Sequence, residues 1–181
     1  MKASELIAEM KAADRDRGSP SPPGTNEIDD AERPVIEDLR ALGVDTYGVH
    51  HLQGMADHHP GMRAVLFDHL ERDNTEYVRS RMAAALGGTK MTDDEFDRLV
   101  AAYRGESSVR VRQQFAAAVA QSAGGRLPEV IELIRDPSLG DSRVQLIRAL
   151  RRSRRPEARQ TLESLRSDPD LKVEIARRLK P

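Results

Sequence analysis

The segment VRSRMAAAL (78–86) returns three times further along the chain, as VRQQFAAAV (111–119), SRVQLIRAL (142–150) and LKVEIARRL (171–179). Alignment on the last apolar residue produces a basic column and a bulky apolar column. The basic column contains Arg79, Arg112, Arg143 and Lys172, and the apolar column contains Met82, Phe115, Leu146 and Ile175. The basic residues are 33, 31 and 29 positions apart, a spacing typical of helical hairpins that bury their apolar faces against one another. The sequence therefore predicts an all-α fold, a short right-handed α-solenoid of about five hairpins.

From residue 31 onward the chain reads as pairs of helices, and local signals mark where the first helix of each pair begins. Proline is tolerated in the first turn of a helix because its missing N–H has no partner there. Such prolines are Pro34, Pro60, Pro128 and Pro156, and Thr92 with Glu95 forms a capping-box pattern. The predicted first helices are 32–42, 61–72, 93–104, 128–136 and 157–167. The repeated segments are predicted to form four second helices, and residues 44–56 the remaining one.

Residues 1–30 are predicted to be separate from the repeat domain, which spans residues 31–181. Residues 2–13 have the pattern of a short amphipathic helix, and GSPSPPG at 18–24 is a flexible or extended tether. We expect this helix either to cap the open end of the repeats or to bind another protein.

Composition limits the classes of protein to consider. The 181 residues include no cysteine, which excludes disulfides and thiolate sites. The formal charge is −1, but residues 1–97 carry 11 basic and 20 acidic side chains, whereas residues 98–181 carry 18 and 10. The N-terminal segment resembles neither a secretory signal nor a membrane span. We therefore expect a cytoplasmic protein whose two halves differ in charge.

The repeated VRxxΦAAAL pattern, preceded by an acidic residue, is similar to that of HEAT-like repeats. Asp73 stands six residues before Arg79, and Glu106 stands six residues before Arg112. Over residues 31–180 the chain resembles small bacterial HEAT-like repeat proteins of the actinobacterial type. The resemblance implies that these acids and arginines form a hydrogen-bonded ladder along the repeats.

The same resemblance implies a non-enzymatic module that binds a partner protein, and some small members of this class serve as immunity or adaptor proteins. We expect the partner to contact second-helix residues that lie outside the core columns. These candidate residues are Arg81, Gln114, Gln145, Arg148, Arg151 and Arg177. No cofactor and no catalytic group is predicted.

Two other functions remain open at this point. The run RALRRSRRPEAR (148–159) makes the C-terminal half a candidate nucleic-acid-binding surface, although no aromatic residue follows Phe115 to stack on bases. Some HEAT-like proteins are alkylpurine DNA glycosylases, but their aromatic cleft has no counterpart in this chain. A protein partner is the leading hypothesis.

The histidines are concentrated in one region, between His50 and His69. Imidazole is a common metal ligand, but no HExxH-type spacing occurs here. We expect a polar, pH-sensitive turn rather than a metal site.

Overall fold

The computed structural model describes residues 25–178 and, from residue 30, their side chains. This part of the chain contains nine α-helices, two 3₁₀ segments and no β-strand. The α-helices are α1 (Thr25–Ala41), α2 (Met62–Leu70), α3 (Glu76–Leu86), α4 (Asp93–Gly105), α5 (Val109–Ser122), α6 (Leu127–Arg135), α7 (Ile147–Arg152), α8 (Pro156–Ser164) and α9 (Lys172–Arg178). The 3₁₀ segments are Val49–His51 and Pro137–Leu146. The all-α prediction is confirmed for these residues, none of whose helices has the length and apolar character needed to cross a membrane. The predicted helix at 2–13 and its tether lie outside the described residues.

Polar side chains explain why several helices begin where they do. The hydroxyls of Thr75 and Ser108 each accept a hydrogen bond from the amide three residues further on, at the starts of α3 and α5. Before α4, the Thr92 hydroxyl accepts from the Glu95 amide at 3.2 Å, and the Glu95 carboxylate accepts from the Thr92 amide at 2.9 Å. Because both bonds satisfy amides that the first turn leaves without partners, they fix the start of the helix. The predicted capping box is confirmed.

The predicted second helix at 44–56 is wrong. This stretch contains only the 3₁₀ turn Val49–His51. Gly48 is extended, and a Cβ there would stand 2.6 Å from an imidazole ring. Gly54 has a φ of +83°, in the left-handed region that favours glycine. The amide after Gly48 donates to the Glu32 carboxylate on α1 at 3.1 Å, so a contact with the preceding helix replaces the expected helical hydrogen bond.

Two further helix boundaries differ from the prediction. Helix α1 begins at Thr25 rather than at residue 32, so that Pro34 lies inside the helix instead of near its start. The segment predicted as one helix at 142–150 begins as part of a 3₁₀ segment and becomes α-helical at Ile147. Gly140, with φ 59° and ψ −145°, interrupts the helical geometry just before it.

The helices that contain the repeated segments pack side by side. Helix α3 packs along α5, and α5 packs along Pro137–Leu146 and α7. Residues of α9 border the same hollow as residues of α7. We call α3, α5, residues 137–152 and α9 the second-segment row. The remaining helices pack on this row: α1 and α2 on α3, α4 on α5, α6 on Pro137–Leu146 and α7, and α8 on α7.

The apolar column of the repeats lies in the core that this packing creates. Met82, Phe115, Leu146 and Ile175 are each at most 2% exposed. Burial of side chains of this size stabilises the fold by about 1.5–3 kcal/mol each. The four copies of the segment therefore have the equivalent core role that their alignment predicts.

Small residues allow α3 and α5 to approach closely. Ala83 and Ala85 on α3 are fully buried, as are Ala116 and Ala118 on α5. A Cβ added at Gly87, at the end of α3, would stand 3.0 Å from the Cα atom of Ala118. A larger residue at this position would push the two helices apart.

The arginines of the basic column connect successive hairpins. The Arg79 guanidinium pairs with the buried Glu106 carboxylate of the following hairpin. Among the described residues no ion pair joins Arg79 to Asp73. Arg112 does reach Glu106, but through the backbone: its Nε donates to the Glu106 carbonyl at 2.8 Å. The bonds therefore run between hairpins rather than only within one.

Arg143 repeats this arrangement with its side chain fully buried. Its guanidinium donates to Asp168 at 2.9 and 3.2 Å and to Asp170 at 2.8 Å, both in the turn before α9. It also donates to the carbonyls of Ile134 and Gly140. Among the described residues, no buried side-chain nitrogen or oxygen lacks a hydrogen-bond partner.

Candidate partner-binding face

The six predicted partner-binding residues all lie on the second-segment row. Arg81 is on α3, Gln114 on α5, Gln145 at the end of the second 3₁₀ segment, Arg148 and Arg151 on α7, and Arg177 on α9. Gln114 is half-buried and the other five are exposed. We call these six residues the cationic face.

Three of the six come together in one hollow. Gln145, Arg148 and Arg151 line a depression of about 250 Å³, whose other side is formed by Glu174 and Arg178 of α9. The Glu174 carboxylate pairs with Arg178, one turn further along the helix. Sequence reasoning did not select Glu174 and Arg178, although their i,i+4 spacing is a recognisable helical ion-pair pattern.

The other three residues stand outside the hollow. The Arg81 guanidinium carbon lies 5.4 Å from the centroid of the Tyr77 ring, which holds the cation over an aromatic face. Gln114 lies on α5, between the helices that carry Arg81 and Arg148. Arg177 is 75% exposed, and its guanidinium is 3.8 Å from the Glu174 carboxylate. The six residues therefore form an extended surface rather than one compact site.

The charges of this face are largely uncompensated. Within the described residues Arg81, Arg148 and Arg151 make no ion pair. Two arginines of the opposite helices are neutralised: Arg98 of α4 lies 3.5 Å from Asp68 of α2 and 3.2 Å from Glu71, the residue after α2. Arg104 of α4 likewise pairs with Glu132 of α6. The excess positive charge is thus located on the second-segment row.

A buried ionic network supports the C-terminal part of the face. Burial alone would lower the pKa of Arg143, but the carboxylates of Asp168 and Asp170 raise it, so this guanidinium stays charged. Burial alone would raise the pKa of Asp168, and the hydrogen bonds from Arg143 and the neighbouring amides lower it. Since both partners are held ionised, residues 143–151 are tied to the turn before α9.

A second ion pair, between Asp57 and Arg63, holds the N-terminal hairpins together. The Asp57 carboxylate pairs with the buried Arg63 and accepts hydrogen bonds from the Thr89 and Lys90 amides at 2.7 and 3.1 Å. Burial opposes ionisation of Asp57, but these bonds hold its pKa well below its usual range. A Cβ at Gly88 would stand 2.2 Å from this carboxylate. The loop at 87–90 therefore ends α3 and anchors residues 52–61.

The histidines do not converge on one point. The ring centroids of His50 and His51 lie 3.8 Å apart, and the ring centroid of Tyr47 is 3.9 Å from that of His51. Desolvation and the neighbouring His50 lower the pKa of His51, while Glu32 acts in the opposite direction. His69 is buried elsewhere, with its Nε2 atom 2.8 Å from an Asp38 oxygen. Over the described residues no group of three or more His, Asp or Glu side chains is arranged to hold a metal ion.

Comparisons of the chain with protein-family models, curated proteins and solved structures found no match. Membership of the HEAT-like class accordingly stays a prediction that depends on the repeated segments.

Proposed function

We propose that this protein is a non-enzymatic protein-binding module whose cationic face contacts an acidic surface of a partner protein. One observation carries the proposal: within the described residues the exposed Arg81, Arg148 and Arg151 of the second-segment row make no ion pair, whereas Arg98 and Arg104 of the opposite helices do. Uncompensated charges destabilise a folded protein because they repel one another, but they attract a partner of opposite charge. Binding would supply the missing carboxylates.

The packing supports the idea of a short, curved HEAT-like solenoid. Helices α3 and α5 approach closely, while a groove of about 350 Å³ lies beside Phe67 and Ala102, between α2 and α4. A second groove of about 430 Å³ lies beside Ile131 and Thr161, between α6 and α8. Closer spacing on one side than on the other bends a stack of hairpins toward the closer side. We infer that the second-segment row forms the concave surface.

The side chains of the face suit recognition of protein carboxylates. A guanidinium presents a planar fork of donors that fits a carboxylate in a bidentate manner. Gln114 and Gln145 add amides that both donate and accept hydrogen bonds, as a backbone requires. Helix α5, at the centre of the row, contains no acidic residue. An acidic segment that lies along α5 would therefore meet no acidic side chain of that helix.

The test is a double charge reversal with a matched control. Arg148→Glu/Arg151→Glu changes two exposed arginines of the face. Arg159→Glu/Arg166→Glu makes the same change in net charge at exposed residues outside it, and the exposed pair of Arg159 with Glu163 that it breaks is worth only about 0.3–0.5 kcal/mol. Each variant and the parent protein would be used to capture partners from native lysate, and each recovered partner would then be purified and its affinity measured.

We expect the face variant to lose at least about tenfold in affinity for an acidic partner, which corresponds to roughly 1.4 kcal/mol. The control variant should bind as the parent does, and both should keep the parent's melting temperature. Equal weakening by both variants would indicate attraction by net charge alone. Binding of a DNA duplex that falls steeply with added salt, without any protein partner, would favour the nucleic-acid hypothesis instead.

A further inference from the structure

An open cleft of about 460 Å³ lies where the loops between hairpins meet, apart from the cationic face. Three loops contribute to it: the loop after α3 through Thr89, the loop after α5 through Gly124, and the loop after α7 through residues 152–155. Its volume is within the range of small-molecule sites, about 300–1,000 Å³. The protein-binding function proposed above does not use this cleft, whose arginines belong to the run 148–159 that was considered for nucleic-acid binding.

The lining of the cleft is positively charged. Of the residues that the structure describes, Arg152, Arg154 and Arg155 line it, and no Asp or Glu does. Within the described residues, Arg154 and Arg155 make no ion pair. Arg152 donates to the Ala120 carbonyl, which anchors its guanidinium at the edge of the cleft without neutralising it.

Arg126, near the cleft, has a structural role and differs from the arginines that line the cleft. Arg126 pairs with Asp93 at 2.6 Å, donates to the Met91 carbonyl at 3.0 Å, and lies 4.8 Å from the centroid of the Phe96 ring. Every part of that guanidinium has a partner. The cleft arginines differ because their charges remain available to a ligand.

The floor of the cleft is apolar and open. Leu127, Val130 and Ala149 line it, next to the glycines of the loop after α5. A Cβ added at Gly124 would meet nothing within 4 Å, so this position leaves space that packing does not need. A ligand with an organic body as well as a negative charge fits such a lining.

We propose that this cleft binds a phosphomonoester. A phosphomonoester carries a charge of about −1.5 to −2 at pH 7 and three acceptor oxygens, which match the two unpaired guanidinium groups and the anchored third. Its organic group would lie on the apolar floor. A carboxylate supplies one charge and two oxygens, and satisfies this set of donors less completely. The inference does not depend on the proposed function of the cationic face.

Calorimetric titration with phenyl phosphate, inorganic phosphate and benzoate tests the assignment. We expect saturable binding of phenyl phosphate, at least about tenfold weaker binding of inorganic phosphate and of benzoate, and loss of affinity as the pH falls below about 6, where the phosphate becomes a monoanion. A short phosphoserine peptide and its unphosphorylated form complete the series. Tighter binding of the phosphopeptide than of phenyl phosphate would assign the ligand to a protein, and the reverse to a small organic phosphate; either result supports the site.

Variants locate the binding. Arg154→Gln/Arg155→Gln should weaken phenyl phosphate binding at least about tenfold, whereas Arg148→Gln/Arg151→Gln removes the same charge from the cationic face and should leave it unchanged. Gly124→Val should weaken binding by filling the cleft, with no change in melting temperature. Absence of saturable binding in every phosphate arm, or equal affinity in the Arg154/Arg155 variant and the parent protein, would overturn the proposal.

Discussion

Replacement of Arg143 by alanine offers the most direct test of how the hairpins are held together. The side chain is 1% exposed and donates five hydrogen bonds, three to the carboxylates of Asp168 and Asp170 and two to backbone carbonyls. Arg143→Ala removes every one of these donors. It leaves two carboxylates of the next hairpin without their cation.

The expected cost follows from the burial of those partners. Removing one member of a buried ion pair typically costs about 3–5 kcal/mol. Asp168 is 14% exposed and Asp170 37%, so both regain some water, and we place the loss near the lower limit, at about 3 kcal/mol. For a domain of this size that corresponds to a fall in melting temperature of about 6–12 °C.

Urea unfolding followed by circular dichroism measures this loss. Arg148→Ala, an exposed change in the adjoining helix without an ion pair to break, is the matched control and should shift the free energy of unfolding by less than about 0.5 kcal/mol. Asp168→Asn should cost less in the Arg143→Ala background than in the parent protein, with a coupling of about 1–3 kcal/mol. A loss below about 1 kcal/mol for Arg143→Ala, or no coupling, would refute the reasoning.

Three further predictions concern other parts of the fold. Gly88→Ala places a carbon 2.2 Å from the Asp57 carboxylate and should lower the free energy of unfolding by about 2 kcal/mol. Gly105→Ala, where a Cβ meets nothing within 4 Å, should be neutral or stabilising. Equal losses of unfolding free energy for the two variants in urea melts would contradict the close contact at Gly88. The pKa values of Asp57 and Asp168 are lowered in the folded protein. Their contribution to stability is therefore present above the unfolded pKa of about 3.9 and lost as the pH falls through the folded values. A urea midpoint at about pH 3 equal to that at neutral pH would contradict this prediction. Thr92→Ala removes the cap of α4 and should cost about 1 kcal/mol, while Thr92→Ser should restore most of it.

Local signals in the sequence predicted most of the fold. The repeated segments, the prolines and the capping box depend on neighbours within a few residues, so α2, α3, α4, α5 and α9 lie close to where they are expected. The stretch at 44–56 failed because its conformation depends on Glu32 of α1, which accepts from its backbone, and on Gly54 with positive φ. A helical pattern of apolar residues does not report such a contact.

The candidate face, like the fold, was predicted only in part from the sequence. The choice of exposed second-helix residues followed from periodicity, and the structure places all six on one row. Their grouping did not follow: Gln145, Arg148 and Arg151 share a hollow with Glu174, which is distant in sequence. The partner of Arg79 was also missed, because the acid that pairs with it, Glu106, belongs to the next hairpin. Spacing along the chain identifies which residues are equivalent, but not which ones meet across a packed interface.

The forward direction of these arginine bonds bears on how the protein unfolds. Arg79 finds its carboxylate only when the succeeding hairpin is in place, and Arg143 depends on the turn before α9 in the same way. Detaching the last hairpin would break the bonds of Arg143 to Asp168 and Asp170 and the apolar contacts around them, so fraying from that end is penalised at its first step. Repeat proteins with independent units melt gradually; this chain should instead lose its structure as a single cooperative block.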